Sequence, residues 1–236
     1  MERIPDYLNH VFIGLVIFLY LTLIYGVYYG WSRQRFYSTS PKKVAAIVAL
    51  GIALWLALTG VIAHLGLLSD FTAMPPRFMF VFLPALLVTL YFSFSDDVGR
   101  LVNEIPGRAL IAIQSFRVIV EGILWLLFMN NALPEIMTFT GRNFDVVIAL
   151  TAPTIAIFAF KGFEVNKRVV IIWNALGLLA LANVITHGIL SAPTPLRIFM
   201  SDPPNTMIVY YPFVWLPAFV VPCAIFFHLV SIRKTL

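Results

Sequence analysis

Three polar side chains interrupt an otherwise apolar stretch, Ala109–Met129 (ALIAIQSFRVIVEGILWLLFM): Gln114, Arg117 and Glu121. On a helix turning 100° per residue they fall within about 60° of one another, and Trp125 extends the same stripe. A charged side chain at the middle of a bilayer costs roughly 2.5–3.5 kcal/mol to insert, so these groups must face protein or water rather than lipid. The i, i+4 spacing of Arg117 and Glu121 allows a salt bridge within the helix, which lowers that cost. Two uses follow. The pair can tie this helix to its neighbours. Alternatively it is a polar site in which Arg117 holds an anionic group while Glu121 accepts a proton or a hydrogen-bonding solute.

A second polar group lies in the segment GRNFD, with Arg142, Asn143 and Asp145 at the mouth of the next apolar run. Asn143 suits an N-cap and Asp145 a first helical turn, so capping alone accounts for both. Asn174 and Asn183 stud the following apolar run, and Tyr210, Tyr211 and Trp215 lie beside the prolines of the last one. These three aromatics either line a pocket or form a belt at the headgroups. The candidate solute-binding set is therefore Gln114, Arg117, Glu121, Asn143, Asp145, Asn174 and Tyr211. His64 and His187 end their runs at similar depth, and with Asp145 they give the smallest donor set that holds zinc. They are scattered over three segments with no local spacing motif, so no metal is expected. His228 lies near the basic C-terminal end and needs no role. No phosphate-binding glycine loop, serine-nucleophile motif or zinc-protease helix occurs, and four histidines are too few for a multi-histidine iron site; no cofactor is implied.

The elements that position these residues are set by composition. Of 236 residues 61% are hydrophobic and 11% charged, against about 25% charged in a soluble domain. With a mean hydropathy of +0.92, no water-exposed surface could hide this much apolar area, and the alternation of a barrel strand is missing. The reading is an all-α polytopic membrane protein forming a single domain over residues 1–236. Its net charge of +5 reflects topology rather than nucleic-acid binding. Cys223 is the only cysteine, so an intrachain disulfide is excluded. The first ten residues (MERIPDYLNH) lack a positive n-region, and the run that follows reads as a retained helix rather than a signal peptide.

Seven apolar runs predict seven transmembrane helices, at about 9–30, 44–68, 78–94, 109–129, 146–163, 169–190 and 206–232. Pro84, Pro153, Pro212, Pro217 and Pro222 interrupt them; each proline frees a carbonyl that must find a donor inside the bundle. Connectors 1, 3 and 5 and the C-terminal tail hold Arg33, Arg35, Lys42, Lys43, Arg100, Arg108, Lys161, Lys167, Arg168, Arg233 and Lys234. The other side holds only Arg3, Arg77, Arg142 and Arg197. The positive-inside rule then places the N-terminus outside and the C-terminus in the cytoplasm.

Helix 2 (ALGIALWLALTGVIAHLGLLS) and helix 6 (ALGLLALANVITHGILS) resemble one another, and the next helices share FLPALLV and WLPAFVV. Either helices 1–3 and 5–7 form a 3+1+3 parallel repeat around helix 4, or the matches reflect the Leu, Ala and Gly that dominate any membrane helix. In layout alone this resembles the sugar-efflux SWEET transporters and, more distantly, microbial rhodopsins. No Pro-Gln pair of the SWEET type and no mid-membrane lysine in the last helix occur, so no family residue carries over. The lead expectation is a multi-pass protein of a bacterial inner membrane, with compact loops. It binds or moves a small polar or anionic solute through the helix 4 site. Its partners are membrane lipid and that solute, with no nucleic acid; the sequence sets no oligomeric state. The alternatives are an intramembrane enzyme using Asp145, His64 and His187 at the outer leaflet, and a non-catalytic sensor or membrane subunit with a dry, packed interior.

Overall fold

The structure is a computed structural model and describes residues 4–34, 39–160 and 165–236. Arg3, Arg35, Lys161 and the expected end of helix 5 at Phe163 lie outside the described residues. All regular structure among the described residues is helical. Among the described residues five helices are long and apolar enough to cross a membrane: α1 (Asp6–Arg33), α2 (Pro41–His64), α5 (Gly107–Met129), α7 (Lys167–Ser191) and α8 (Leu216–Thr235). A sixth crossing is available if α3 (Met79–Phe94) and α4 (Asp96–Asn103), bent by 65° at Ser95, count as one broken span. The remaining helix, α6 (Asp145–Phe158), has 14 residues. At 1.5 Å per residue it reaches about 21 Å, short of the ~30 Å hydrocarbon core.

Local chemistry sets the ends. Pro41 opens α2, where a missing N–H costs nothing. That helix stops at His64 rather than Leu68 because Gly66 takes a φ of +69°, and its N–H closes back on the Ala63 carbonyl. The last helix starts at Leu216, ten residues later than expected. Tyr210 is extended, ahead of Pro212, and a 3₁₀ turn at Met207–Val209 takes the place of a helical start. The polar connector SDDVGRLVN is itself helical, as α4. Asp96 and Asp97 stand in its first turn and Arg100 in its last, each favourable against the helix dipole.

Five contacts gather helix ends on one face of the bundle. Gln34, after α1, donates to the Arg100 carbonyl (2.9 Å), Arg233 to the Ser95 carbonyl (2.5 Å) and Lys234 to the Asn103 carbonyl (2.7 Å). Lys167 reaches the Leu236 carbonyl (3.4 Å), and Gly107 approaches the Phe160 ring. At the other end of the bundle Asn183 donates to the Arg142 carbonyl (2.7 Å). The apolar stretches of α5 and α8 are 56% and 67% buried, whereas those of α1 and α2 are only 22% and 17% buried. The last helix is thus central and the first two are peripheral.

Candidate functional site

Where α5, α6, α7 and α8 meet, one chain of polar side chains runs through the bundle interior. Gln114, Arg117, Glu121, Asn143, Asp145, Asn174, His228 and Ser231 are all buried, none more than 4% exposed. Arg117 is its hub. Its Nε donates to Asp145 Oδ2 (2.6 Å), and Nη2 closes a bidentate pair with Asp145 Oδ1. Nη1 lies 2.8 Å from His228 Nε2. Because a guanidinium only donates, Nε2 must accept, and the imidazole is neutral with its hydrogen on Nδ1. Nδ1 then donates to Asn174 Oδ1 (2.8 Å), which leaves Asn174 Nδ2 to donate to the Val170 carbonyl (2.8 Å) and Ser231 Oγ (3.1 Å).

The other branch passes through Asn143. The Asp145 backbone N–H donates to Asn143 Oδ1 (2.9 Å), so the amide nitrogen faces the opposite way. Nδ2 meets both Glu121 oxygens, at 2.7 and 2.8 Å, and the Met137 carbonyl at 3.1 Å. The expected Arg117–Glu121 salt bridge is not formed; Arg117 swings to Asp145 instead, where the planar fork finds two oxygens. Among the described residues Glu121 therefore has an amide for a partner and no ion pair. Gln114, one turn toward the basic face, donates to the Ala224 carbonyl (3.0 Å), while its buried Oε1 meets no donor.

Backbone irregularities sit beside these groups. The helix carrying Arg117 tightens to 3₁₀ over Ile113–Phe116, and α8 opens with a π turn over Leu216–Val220. Pro222 has no N–H for the Ala218 carbonyl four residues back, and Trp55 of α2 donates to that oxygen at 2.9 Å. The short α6 begins inside the bundle, where Asp145 meets Arg117, directly after the loop Thr138–Phe144. In that loop Thr138 and Asn143 are buried and bonded within the protein, while Phe139, Thr140, Gly141, Arg142 and Phe144 are exposed.

Five of the seven expected site residues are bonded into one chain, Arg117, Glu121, Asn143, Asp145 and Asn174, and Gln114 is buried one turn from Arg117 on the Ala224 carbonyl. Tyr211 stands apart. Its ring is 45% exposed and stands edge-on to Trp215 (5.2 Å) at the start of α8. Asn183 also stands apart, on the Arg142 carbonyl. His228 and Ser231 are the residues that sequence reasoning missed. His228 is placed in the core, not at an interface, with Trp173 against its ring (5.4 Å). Gly177, one turn from Asn174, leaves a notch that the imidazole fills, and a Cβ at 177 would overlap that ring. His64, His187 and Asp145 do not form a donor set. His64 is exposed, His187 stacks on Phe199 (4.9 Å) and Asp145 is spent on Arg117. Among the described residues no group of three His, Cys, Asp or Glu is placed to hold a metal ion.

Residues 73–236 match the model of a family described as a domain of unknown function, DUF8737. The chain belongs to this family. Neither a curated protein nor a solved structure matches it. In this DUF8737 chain the matched stretch covers α3 to α8, and so holds the entire polar chain from Glu121 to Ser231, while α1 and α2 lie outside it.

Proposed function

We propose that this integral membrane protein binds a small polar solute in its interior and moves it across the bundle, with Glu121 as the group that receives it. One observation carries the reading: two carboxylates, Asp145 and Glu121, are buried with a single guanidinium, and that guanidinium is committed to Asp145 and His228. The unpaired Gln114 Oε1 adds a second surplus acceptor. A site rich in acceptors suits a proton, a small cation or a solute with N–H or O–H donors better than an anion, since the Arg117 charge is already matched by the bidentate Asp145 carboxylate while Glu121 has no cation of its own. A proton or cation held at Glu121 would also bring the interior to neutrality, which a low-dielectric site favours.

The seven-crossing topology belongs to the same proposal. Counting α6 with the loop before it as one crossing gives seven, with the ends of α1, α3, α6 and α8 on the basic face; in a bacterial inner membrane that face is cytoplasmic. A parallel repeat draws support from α2 and α7 starting on that face and α3 and α8 ending there. The family match starting at residue 73 instead cuts the first repeat unit before its third helix.

A second reading has its own support. A cavity in the bundle core is about 10 Å³ of apolar space lined by residues such as Val120, Leu124 and Phe213, and neither Glu121 nor Arg117 lines it. A dry interior suits a structural membrane subunit; under the transport reading this is a closed state. Proteoliposomes separate the two. With proton, sodium or ammonium gradients imposed and a pH-sensitive dye inside, the protein should dissipate at least one gradient, and Glu121→Gln should fall to the rate of protein-free vesicles. Transport unchanged in Glu121→Gln, or no flux by the unaltered protein under any of the three gradients, would remove the transport reading.

A further inference from the structure

Far from the polar core, a half-open cavity of about 220 Å³ lies where α4 meets the last turns of α8, walled by Arg100, Asn103, Arg233 and Lys234 with Asp96 and Gly99. At about 30 Å³ per water it has room for about seven waters, enough for a phosphate group with a short carbon arm. Two of its cations are held mainly by backbone carbonyls. Arg233 Nη1 donates to the Ser93 (3.2 Å) and Ser95 (2.5 Å) carbonyls, and Nη2 to Asp96 (3.1 Å). Lys234 Nζ donates to the Asn103 (2.7 Å) and Val102 (3.3 Å) carbonyls at the end of α4, which uses two of its three N–H donors. Carbonyl oxygens fix a cation in place and leave its full charge. Gly99 makes the approach possible, since a Cβ there would stand 2.7 Å from Arg233 Cζ.

The sign of the wall decides the ligand. It carries three cations and one carboxylate, Asp96. Asp97, paired with Arg100 at 2.5 Å, and Glu104, near Lys234, are not part of the wall. The connectors on this face add Arg33, Lys42, Lys43, Arg108, Lys167 and Arg168, so the field around the opening is positive. The 65° bend between α3 and α4 turns α4 across the spanning direction. In a membrane this sets the opening at headgroup level, where basic pockets between helices take anionic headgroups.

We propose that this cavity binds a phosphate group presented at the membrane surface, with Arg100, Arg233 and Lys234 as its ligands. The inference stands on different residues from the Glu121 reading and survives its failure. The test uses the full chain in a neutral detergent, its thermal unfolding followed while short-chain phosphatidylglycerol, short-chain phosphatidylcholine, glycerol 3-phosphate or inorganic phosphate is added. Phosphatidylglycerol should raise the Tm saturably and phosphatidylcholine should not. Arg100→Gln should weaken the apparent affinity about fivefold, and a second loss at Lys234→Gln by about as much again. A matching rise with glycerol 3-phosphate or inorganic phosphate supports the site and makes the source a soluble phosphate. Lys234 also holds the end of α4, so the exposed Arg100 keeps the test clear of misfolding. Equal shifts from both lipids, no shift from any of the four, or an unchanged affinity in Arg100→Gln would overturn the assignment.

Discussion

The outer pair α1 and α2 and the inner pair α5 and α8 look alike by hydropathy, yet the outer stretches bury 22% and 17% and the inner ones 56% and 67%. The more apolar helices are the more exposed: mean hydropathy is 2.3 and 2.4 outside against 1.8 and 1.8 inside. In water that order would reverse. In lipid it follows from the solvent, because an apolar side chain loses nothing by facing acyl chains, whereas Gln114, Arg117 and His228 must find protein. Hydropathy thus marks which segments cross, and the polar residues mark where the middle is. Two reciprocal tryptophan bonds join the regions, Trp55 to the Ala218 carbonyl and Trp215 to the Leu56 carbonyl, each 2.9 Å.

The sharpest way to break the comparison is to remove the partner of the inner pair's buried charge, Arg117. Asp145→Ala strands Arg117 in a buried site, and loss of one partner of such a pair costs about 3–5 kcal/mol. Thermal unfolding in detergent should show that loss, while Leu54→Ala on α2, a side chain 61% exposed, should change stability by under about 0.5 kcal/mol. Similar costs at both positions would erase the distinction between core and periphery. Glycines give a smaller version of the same contrast. A Cβ at Gly177 would overlap the His228 ring, which Arg117, Asn174 and Trp173 hold in place, so Gly177→Ala should cost about 1–3 kcal/mol. Gly51 on α2 has nothing within 4 Å of such an atom, and Gly51→Ala should be neutral or stabilising by up to about 1 kcal/mol.

Much of the inner region was legible in advance. The stripe Gln114, Arg117 and Glu121 follows from helical spacing, and the cost of burying charge predicts that it faces inward, as it does. The partners were harder to read, because an i, i+4 pair suggests a bond along one helix, whereas Arg117 reaches another helix 28 residues later in the chain. Spacing within a segment cannot rank contacts between segments. His228 was hidden for the same reason: only its neighbours α5 and α7 give it partners. The expected Val146–Phe163 helix begins within one residue of its expected start, where the Asp145 carboxylate and the Asn143 turn are bound to the core, and its helical part ends at Phe158. By contrast α4 carried its own signals, the acidic first turn and the basic last one, and its polar composition concealed a surface helix only because it was read as a connector.

The smallest effect belongs to the loop that joins the outer pair to the rest. Asp70 accepts from Thr72 Oγ1 (2.7 Å) and the Thr72 N–H (3.1 Å), and Arg77 bonds both Asp70 (2.6 Å) and the Leu67 carbonyl (3.0 Å). The Thr72 bonds first, and the Arg77 charge after them, hold the Asp70 carboxyl below the usual carboxylate range. The sign follows. The unfolded loop takes up a proton at a higher pH than the folded one, so the bonded loop is favoured above about pH 4 and that advantage fades as pH falls through the lowered folded value. Hydrogen exchange at residues 67–77 should be flat between pH 7 and 5, after correction for the intrinsic rate, and should quicken below pH 4. Asp70→Asn should show the faster exchange at every pH, with α5 and α8 unaffected. Acid loosening that persists in Asp70→Asn would assign it to another carboxylate and free the α2–α3 loop from this account.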